Sequence, residues 1–321
     1  MKPMLIRTIL GVALFCLAGA SCAEYPERPI RLVVPFPPGG GADLTSRLIS
    51  QHLSEALGKP VVVDNRPGGA GNIGTEAVAR AAPDGYTLLL ASISNAVNVS
   101  LFQNLPFNIL KDFEPVSLFV TVPLIVVVHP SVPVHTIPEL IALAKSKPGQ
   151  LNYSSGGVGT ANHVAGELFK YLTQVDITHV PYKGGGPALN DLLGGHVQLQ
   201  FGTITSMREV VKSGRLRPLA TTGAKRSLAA PELPTVAESG VTGFEVVAWY
   251  GVLAPAGTPR PIVDRLSTEL ARILLAPAVQ ELLKTQGTEA VGSTSVEAAR
   301  FISAEVDKWS KVVKTSGLHA E

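Results

Sequence analysis

Apolar residues in this chain fall into short blocks whose period changes from strand-like to helix-like and back. A short apolar run at 32–34 predicts a strand over 30–34. After it, Leu44, Leu48, Leu53 and Leu57 recur at close to helical spacing until Gly58 and Pro60 stop the pattern, which predicts a helix over 42–57. Between the two lie Pro35-Phe36-Pro37-Pro38 and then Gly39, Gly40 and Gly41. The unit is strand, glycine loop, helix. The same pattern predicts a second strand at 61–63, a glycine loop over 68–74, a short helix at 75–82, a turn at Pro83-Asp84-Gly85 and a third strand at 86–91. Ser92, Ser94 and Asn95 follow the end of that strand.

A long β-branched stretch, 113–128, interrupted at Pro123, is expected to carry the chain from one lobe to another; a helix at 138–147 follows. The unit then returns. A strand at 151–153 leads through a loop rich in glycine, 154–160, to a helix at 161–172 with Val164, Leu168 and Leu172 on one face. A strand at 177–180, a loop at Gly184-Gly185-Gly186, a helix at 187–193 and a strand at 197–201 complete it. The two passages are alike in architecture and not in residues. Residues 219–222 read as a strand, 229–240 as a loop and short helix, and 244–253 as the return crossing. Helices are predicted at 262–275, 278–286 and 296–314, the last with Ser295 as N-cap and packing Phe301, Val306 and Trp309, flanked by Ile302 and Val313. Short apolar strands alternating with helices imply parallel sheets. Two such sheets joined by two crossings imply a two-lobe α/β protein, lobe 1 comprising 24–124 plus 248–321 and lobe 2 comprising 125–247. Ligands bind at the carboxyl ends of such strands, so the glycine loops are expected to face each other across a cleft.

The first 23 residues change the picture. Lys2 and Arg7 precede an apolar core at 9–17, and Ser21-Cys22-Ala23 supplies small residues, so 1–23 reads as a signal peptide cleaved after Ala23. The apolar run is too short for a stable membrane span. A lipoprotein anchored at Cys22 is the lesser alternative. Cleavage removes both cysteines, Cys16 and Cys22, and lowers the basic count from 27 to 25 against 25 acids. The mature chain is then neutral and has no disulfide, so its stability rests on its core. No basic surplus favours nucleic acid or a membrane surface.

The candidate chemistry is anion binding. Glycine loops leave main-chain amides bare, and a helix start adds unpaired N–H groups and the positive end of its dipole. Ligand contacts are expected at Phe36, Pro38, Gly39, Gly40, Gly41 and Ala42 in the first loop. Those in the second are Ser155, Gly156, Gly157, Val158, Gly159 and Thr160. Asp43, in the first helical turn, is read mainly as fixing its loop, with direct contact the lesser role. A lone histidine such as His163 is usually structural, with donation to an anion its other role, and Ser92, Ser94, Tyr182 and Thr203, with Asn162, follow strand ends where hydroxyls and amides suit a carboxylate. Gly69-Ala70-Gly71-Asn72-Ile73-Gly74 matches G-x-G-x-x-G, but no acidic residue follows a second strand about twenty positions on, so the loop reads as structural and no cofactor is expected. No G-x-S-x-G elbow, H-E-x-x-H or close metal cluster is present, so neither an enzyme nor a metal site is expected.

Seven stretches in order carry a resemblance. They are the run from Tyr25-Pro26-Glu27-Arg28-Pro29-Ile30 to Gly40, Asp64-Asn65-Arg66-Pro67-Gly68, Ala82-Pro83-Asp84-Gly85-Tyr86, Lys111-Asp112-Phe113, His179-Val180-Pro181-Tyr182-Lys183-Gly184, Pro234-Thr235-Val236-Ala237-Glu238 and Ala254-Pro255-Ala256-Gly257-Thr258-Pro259. Across the mature chain they resemble the Bug family, the extracytoplasmic solute receptors of tripartite tricarboxylate transporters. The resemblance implies a Venus-flytrap of the type II periplasmic binding protein class, working as a monomer in the periplasm. It implies capture of a small mono-, di- or tricarboxylate and delivery to membrane permease subunits. One carboxylate would be held by the loop from Phe36 to Asp43 and another by the loop from Ser155 to His163, with bridging waters. An exported enzyme on the same fold and a receptor feeding a sensor kinase are the alternatives. The chain departs from the family at Gly202-Thr203, where many relatives carry an acidic residue.

Overall fold

The computed structural model describes residues 25–316. The signal-peptide expectation lies outside the described residues. Ten strands and ten helices are named here in chain order. Strands β1 (Ile30–Val34), β2 (Val61–Asn65) and β3 (Thr87–Ser92) pair parallel in the order β2-β1-β3. Helices α1 (Gly41–Leu57), α2 (Asn72–Ala79) and α3 (Ile93–Leu101) accompany them. Strand β4 (Phe113–Val128) follows, then α4 (Ile137–Ser146), β5 (Asn152–Ser155), α5 (Ala161–Thr173), β6 (Thr178–Pro181), α6 (Gly185–Leu193), β7 (Leu199–Thr203), α7 (Ile204–Lys212) and β8 (Arg217–Thr221). The chain ends with β9 (Val247–Pro255), α8 (Arg260–Leu275), α9 (Pro277–Thr285), β10 (Glu289–Ala290) and α10 (Ser295–Ser316).

One strand joins two sheets. From Phe113 to Pro123, β4 lies antiparallel to β9, which pairs in turn with β3, while Val120 and Thr121 pair with β10. From Leu124 to Val128, β4 lies between β7 and β8, and β5 and β6 extend that sheet in parallel. Pro123 therefore does not interrupt the strand, contrary to expectation. It sits where the ladder changes partners, a position that tolerates the missing N–H. The next amide, that of Leu124, donates to Thr222 Oγ1 at 3.0 Å. Beyond the crossing, side chains alternate between two cores. Leu124, Val126 and Val128 join the large one, and Ile125 and Val127 join a smaller one with Leu192, Val197, Ile204 and Met207.

Several local expectations are corrected. Helices α3 and α7 form where the sequence pattern predicts no element, over segments whose opening Ser, Asn and Thr residues favour turns. Packing overrides that preference: Ile93, Ala96, Val97 and Leu101 are buried at helical spacing, as are Ile204 and Met207. Helix α2 starts three residues earlier than expected and ends earlier, at Ala79. Residues 229–240 form turns and no helix. Ser295 is the first residue of α10 rather than its cap. Thr294 caps it, accepting from Glu297 N–H at 3.3 Å while Glu297 Oε2 accepts from Thr294 N–H at 2.8 Å, a capping box. On α10, Phe301 packs edge-to-face on Trp249 as expected, ring centres 5.4 Å apart, and Ile302, Val306, Trp309 and Val313 are buried beside it.

Glu305 on α10 anchors the return crossing. This buried carboxylate accepts from Trp249 Nε1 in β9 at 2.8 Å and from Trp309 Nε1 at 3.0 Å. Replacing Glu305 with Leu strands two buried indole N–H groups, with an expected loss of about 2–5 kcal/mol. Glu305→Gln keeps an acceptor and is expected to lose less than half as much. Urea denaturation followed by tryptophan emission checks both, since these are the protein's two tryptophans.

Candidate functional site

Five helices among the described residues begin at one cavity between the two sheets. The N-caps are Gly40 for α1, Ser92 for α3, Thr160 for α5, Gly184 for α6 and Thr203 for α7, and none makes a side-chain capping bond to its own helix. The first backbone turn of each therefore holds N–H groups without an intrahelical acceptor. All five caps line the cavity, with Gly41 and Ala42 of α1, Ile93 and Ser94 of α3, Ala161 and Asn162 of α5, and Gly185 of α6. The remaining wall is Phe36, Pro37, Gly156, Gln200, Ser206, Ala248 and Tyr250. The space measures about 80 Å³, room for roughly six waters. No Asp, Glu, Lys or Arg lines it. Its positive potential comes from helix starts alone.

Two buried side-chain oxygens in the wall have no partner among the protein's own groups. Gln200 Oε1 and Ser92 Oγ have no hydrogen bond. At Ser92 the main-chain half of a capping box is made, with the Ser92 N–H donating to Asn95 Oδ1 at 2.9 Å, while the hydroxyl stays unpaired. Burial pushes the phenol of Tyr250 well above its ordinary pKa, so it remains a neutral O–H.

The two lobes meet closely around the cavity. A Cβ on Gly41 would lie 2.7 Å from Thr203 Oγ1, and a Cβ on Gly184 would lie 2.7 Å from Pro37 Cγ. Gly184 also has φ +120°, which an L side chain rarely adopts.

Other expected residues shape the loops instead. Asp43 accepts from Gly39 N–H and from Asn65 Nδ2, each at 3.0 Å, and pairs with Arg47 at 3.0 Å. Burial raises its pKa, but the bonds from Arg47, Gly39 and Asn65 outweigh that and hold it below the usual carboxylate range. His163 Nδ1 accepts from Gly159 N–H at 3.1 Å. Ser155 Oγ accepts from Gly157 N–H at 3.1 Å and lies 2.7 Å from His179 Nε2. The two imidazoles pack against each other, ring centres 4.2 Å apart. Burial holds His163 down to about 4, aided by the charge of Lys170. Burial holds His179 down to about 3, aided by His163 and Lys170 and opposed by Glu167. Pro38 and Gly39 are exposed on the outer side of the first loop. Gly157, Val158 and Tyr182 line a second, outer chamber. Burial and a bond to Asp191 push the Tyr182 phenol up to about 12. The G-x-G-x-x-G stretch is a 3-10 turn, Gly69–Gly71, running into α2, and its first residues border the outer chamber.

Sequence reasoning passed over Gln200, the start of α6 at Gly184 and Gly185, and Ser206. The sequence marks Gln200 only as a lone amide between the apolar Leu199 and Phe201, near the start of β7.

A cleft between two α/β lobes, fed by helix starts and free of charged side chains, defines a solute-binding receptor of the periplasmic binding protein fold. The structure of R. palustris Rpa4515 with adipate is similar over 92% of this chain and 99% of that one, at 38% identity and a TM-score of 0.90. MatC (Rpa3494) from Rhodopseudomonas palustris with bound malate is 32% identical over 90% of this chain and 100% of that one, with a TM-score of 0.86. Protein BugT of Bordetella pertussis (strain Tohama I) is 40% identical over 302 residues, 94% of this chain and 93% of BugT. The family model TctC, described as tripartite tricarboxylate transporter family receptor, matches residues 45–318, and the chain belongs to that family. Among the described residues no helix is long and apolar enough to cross a membrane.

The buried imidazoles make stability depend on pH. Both are neutral in the folded protein, while the unfolded chain protonates them below about 6.5. Their contribution is complete above that pH and is lost as pH falls toward about 4 for His163 and about 3 for His179. Between pH 6.5 and 5 the expected slope is about 1.4 kcal/mol per pH unit for each ring, as an upper bound. Denaturant melts at these pH values check it, and His179→Gln is expected to flatten the slope by about half.

Proposed function

We propose that this protein captures a small carboxylate, a dicarboxylate above all, in the periplasm and delivers it unchanged to the membrane permease subunits of a tripartite tricarboxylate transporter. The observation that carries the proposal is five uncapped helix starts around a cavity without a charged side chain. An anion with a negative group at each end matches bare amides contributed by both lobes. In this reading Gly40, Gly41 and Ala42 hold one carboxylate. Gly156, Thr160, Ala161 and Asn162 hold the other. Ser92, Ser94, Gln200 and Thr203 supply hydrogen bonds directly or through water. Each amide bond to an ionised oxygen contributes about 1.5–3 kcal/mol. Bound adipate and malate in two relatives support the ligand class.

The protein works as a monomer that closes about the paired crossings, near Leu124 on β4 and Val247 on β9, because a ligand touching both lobes favours the closed state.

A thermal-shift series with succinate, malate and adipate tests the proposal. Stabilisation is expected to rise with concentration and to reach about 2.7 kcal/mol at one hundred times Kd. Gly41→Val places a side chain against Thr203 and is expected to weaken binding at least tenfold with little change in the melting of the free protein. A response to neutral sugars and to no organic acid would sink the carboxylate reading.

A further inference from the structure

The Gly69-Ala70-Gly71-Asn72-Ile73-Gly74 loop has no part in the carboxylate reading, yet a buried amide ties it to the opposite lobe. Asn98, on α3, is 1% exposed. Its Nδ2 donates to Ala70 O at 3.0 Å and to Asn72 Oδ1 at 2.8 Å. Ala70 stands at φ +57°, which a residue with a Cβ rarely adopts, so the bond to its carbonyl helps hold the turn. The same bond fixes which end of the Asn98 amide is the oxygen. Asn98 Oδ1 is buried and receives no hydrogen bond from the protein. It points at Gly159 in the second glycine loop, where a Cβ would collide with it and would lie 3.6 Å from Leu101 Cδ2. Gly159 does not satisfy the oxygen, because its N–H donates to His163 Nδ1 at 3.1 Å. A bare Cα from one lobe thus covers a carbonyl oxygen from the other.

We infer that Asn98 is a positioning residue that resists closure of the empty receptor, through the contact of its Oδ1 with Gly159. The inference rests on the reading that the lobes close on a carboxylate, and it names the pair at which closing is opposed. With the lobes apart, water reaches Oδ1 and donates to it. With the lobes together, the oxygen exchanges that water for the Cα of Gly159, and an acceptor without a partner raises the free energy of the closed state. The amide is not free to turn away, since its other end holds Ala70 and Asn72. The empty receptor therefore favours the open form, and an anion touching both lobes overcomes the bias. Apparent affinity falls with the fraction of protein able to close, so one oxygen sets both how far the empty receptor stays open and how tightly it holds its ligand.

Calorimetric titration of residues 24–321 with malate and with adipate tests this, together with spin labels at Gln103→Cys and Lys183→Cys that report the width of the mouth. Those residues include no native cysteine. Gln103 is exposed beside Phe102, which borders the outer chamber with Lys183. Asn98→Ala is expected to narrow the ligand-free mouth and to tighten both acids about threefold to tenfold. Asn72→Ala removes one anchor of the amide and leaves the oxygen, so affinity is expected to stay within about twofold. Gly159→Ala sets a methyl group against Asn98 Oδ1 and is expected to weaken both acids at least tenfold. Adding Asn98→Ala to it is expected to return affinity to within about threefold of the original protein. That rescue separates a closure contact from the strain of alanine at φ +76°, which both Gly159 variants share. Weaker binding by Asn98→Ala, or no rescue in the double variant, would overturn the assignment and leave the carboxylate reading standing. If neither acid binds the original protein, the carboxylate reading fails, and the ligand-free mouth still decides: narrowing in Asn98→Ala supports the assignment and an unchanged width overturns it.

Discussion

The arrangement rests on one demand: main-chain N–H groups at the starts of five helices that converge on one cavity and that no side-chain capping bond closes. A buried donor without a partner costs roughly 1–3 kcal/mol, so proteins normally close helix starts with a Ser, Thr, Asp or Asn side chain. Here Gly40 and Gly184 have no side chain to offer, and the hydroxyls of Ser92, Thr160 and Thr203 do not cap. Instead Thr160 Oγ1 is turned to Gly157 O at 2.7 Å, and Thr203 Oγ1 to Ser206 Oγ at 2.8 Å. The open donors are thus a property of several loops at once, and water or an anion must complete them. The side chains nearby hold the loops still. Asp43 ties the first loop to the body of its lobe, and the neutral pair His163 and His179 ties the second.

The sheet topology follows from the same demand. Bringing helix starts from both lobes to one point requires the carboxyl ends of parallel strands on each side to face inward. Strand β4 achieves this by serving both sheets in turn, with its change of partners at Pro123 and Leu124. Its return partner β9 places Ala248 and Tyr250 in the cavity wall while Trp249, the residue between, turns into the core to reach Glu305. Period-two alternation in one strand thus supplies the floor of the site and the anchor of the crossing.

Much of this was legible in the residues. The glycine loops, the order of strands and helices and the two crossings follow from apolar period and from Gly and Pro, because those signals are local. Helices α3 and α7 were not legible, since Ser92-Ile93-Ser94-Asn95 and Thr203-Ile204-Thr205-Ser206 have turn-forming composition and become helical through packing on distant elements. Ser100 meets Ser310 across 210 positions of sequence at 2.6 Å, a contact that no local pattern contains. Missing those helices hid two of the five starts. Gln200 was overlooked because a single polar residue in a buried strand carries no period. The inward facing of Gly156 and the outward facing of Pro38 likewise depend on how a loop curls, which composition does not encode.

A grip made of main-chain amides has a hereditary consequence. Any substitution that preserves the loop's path preserves the hold on the acid, because the gripping atoms are common to all residues. Wall positions such as Gln200, Phe36 and Phe102 are then free to vary without loss of the basic capacity for anions. Duplicated copies of such a gene start from a working receptor and need only exchange wall residues to take up a new acid.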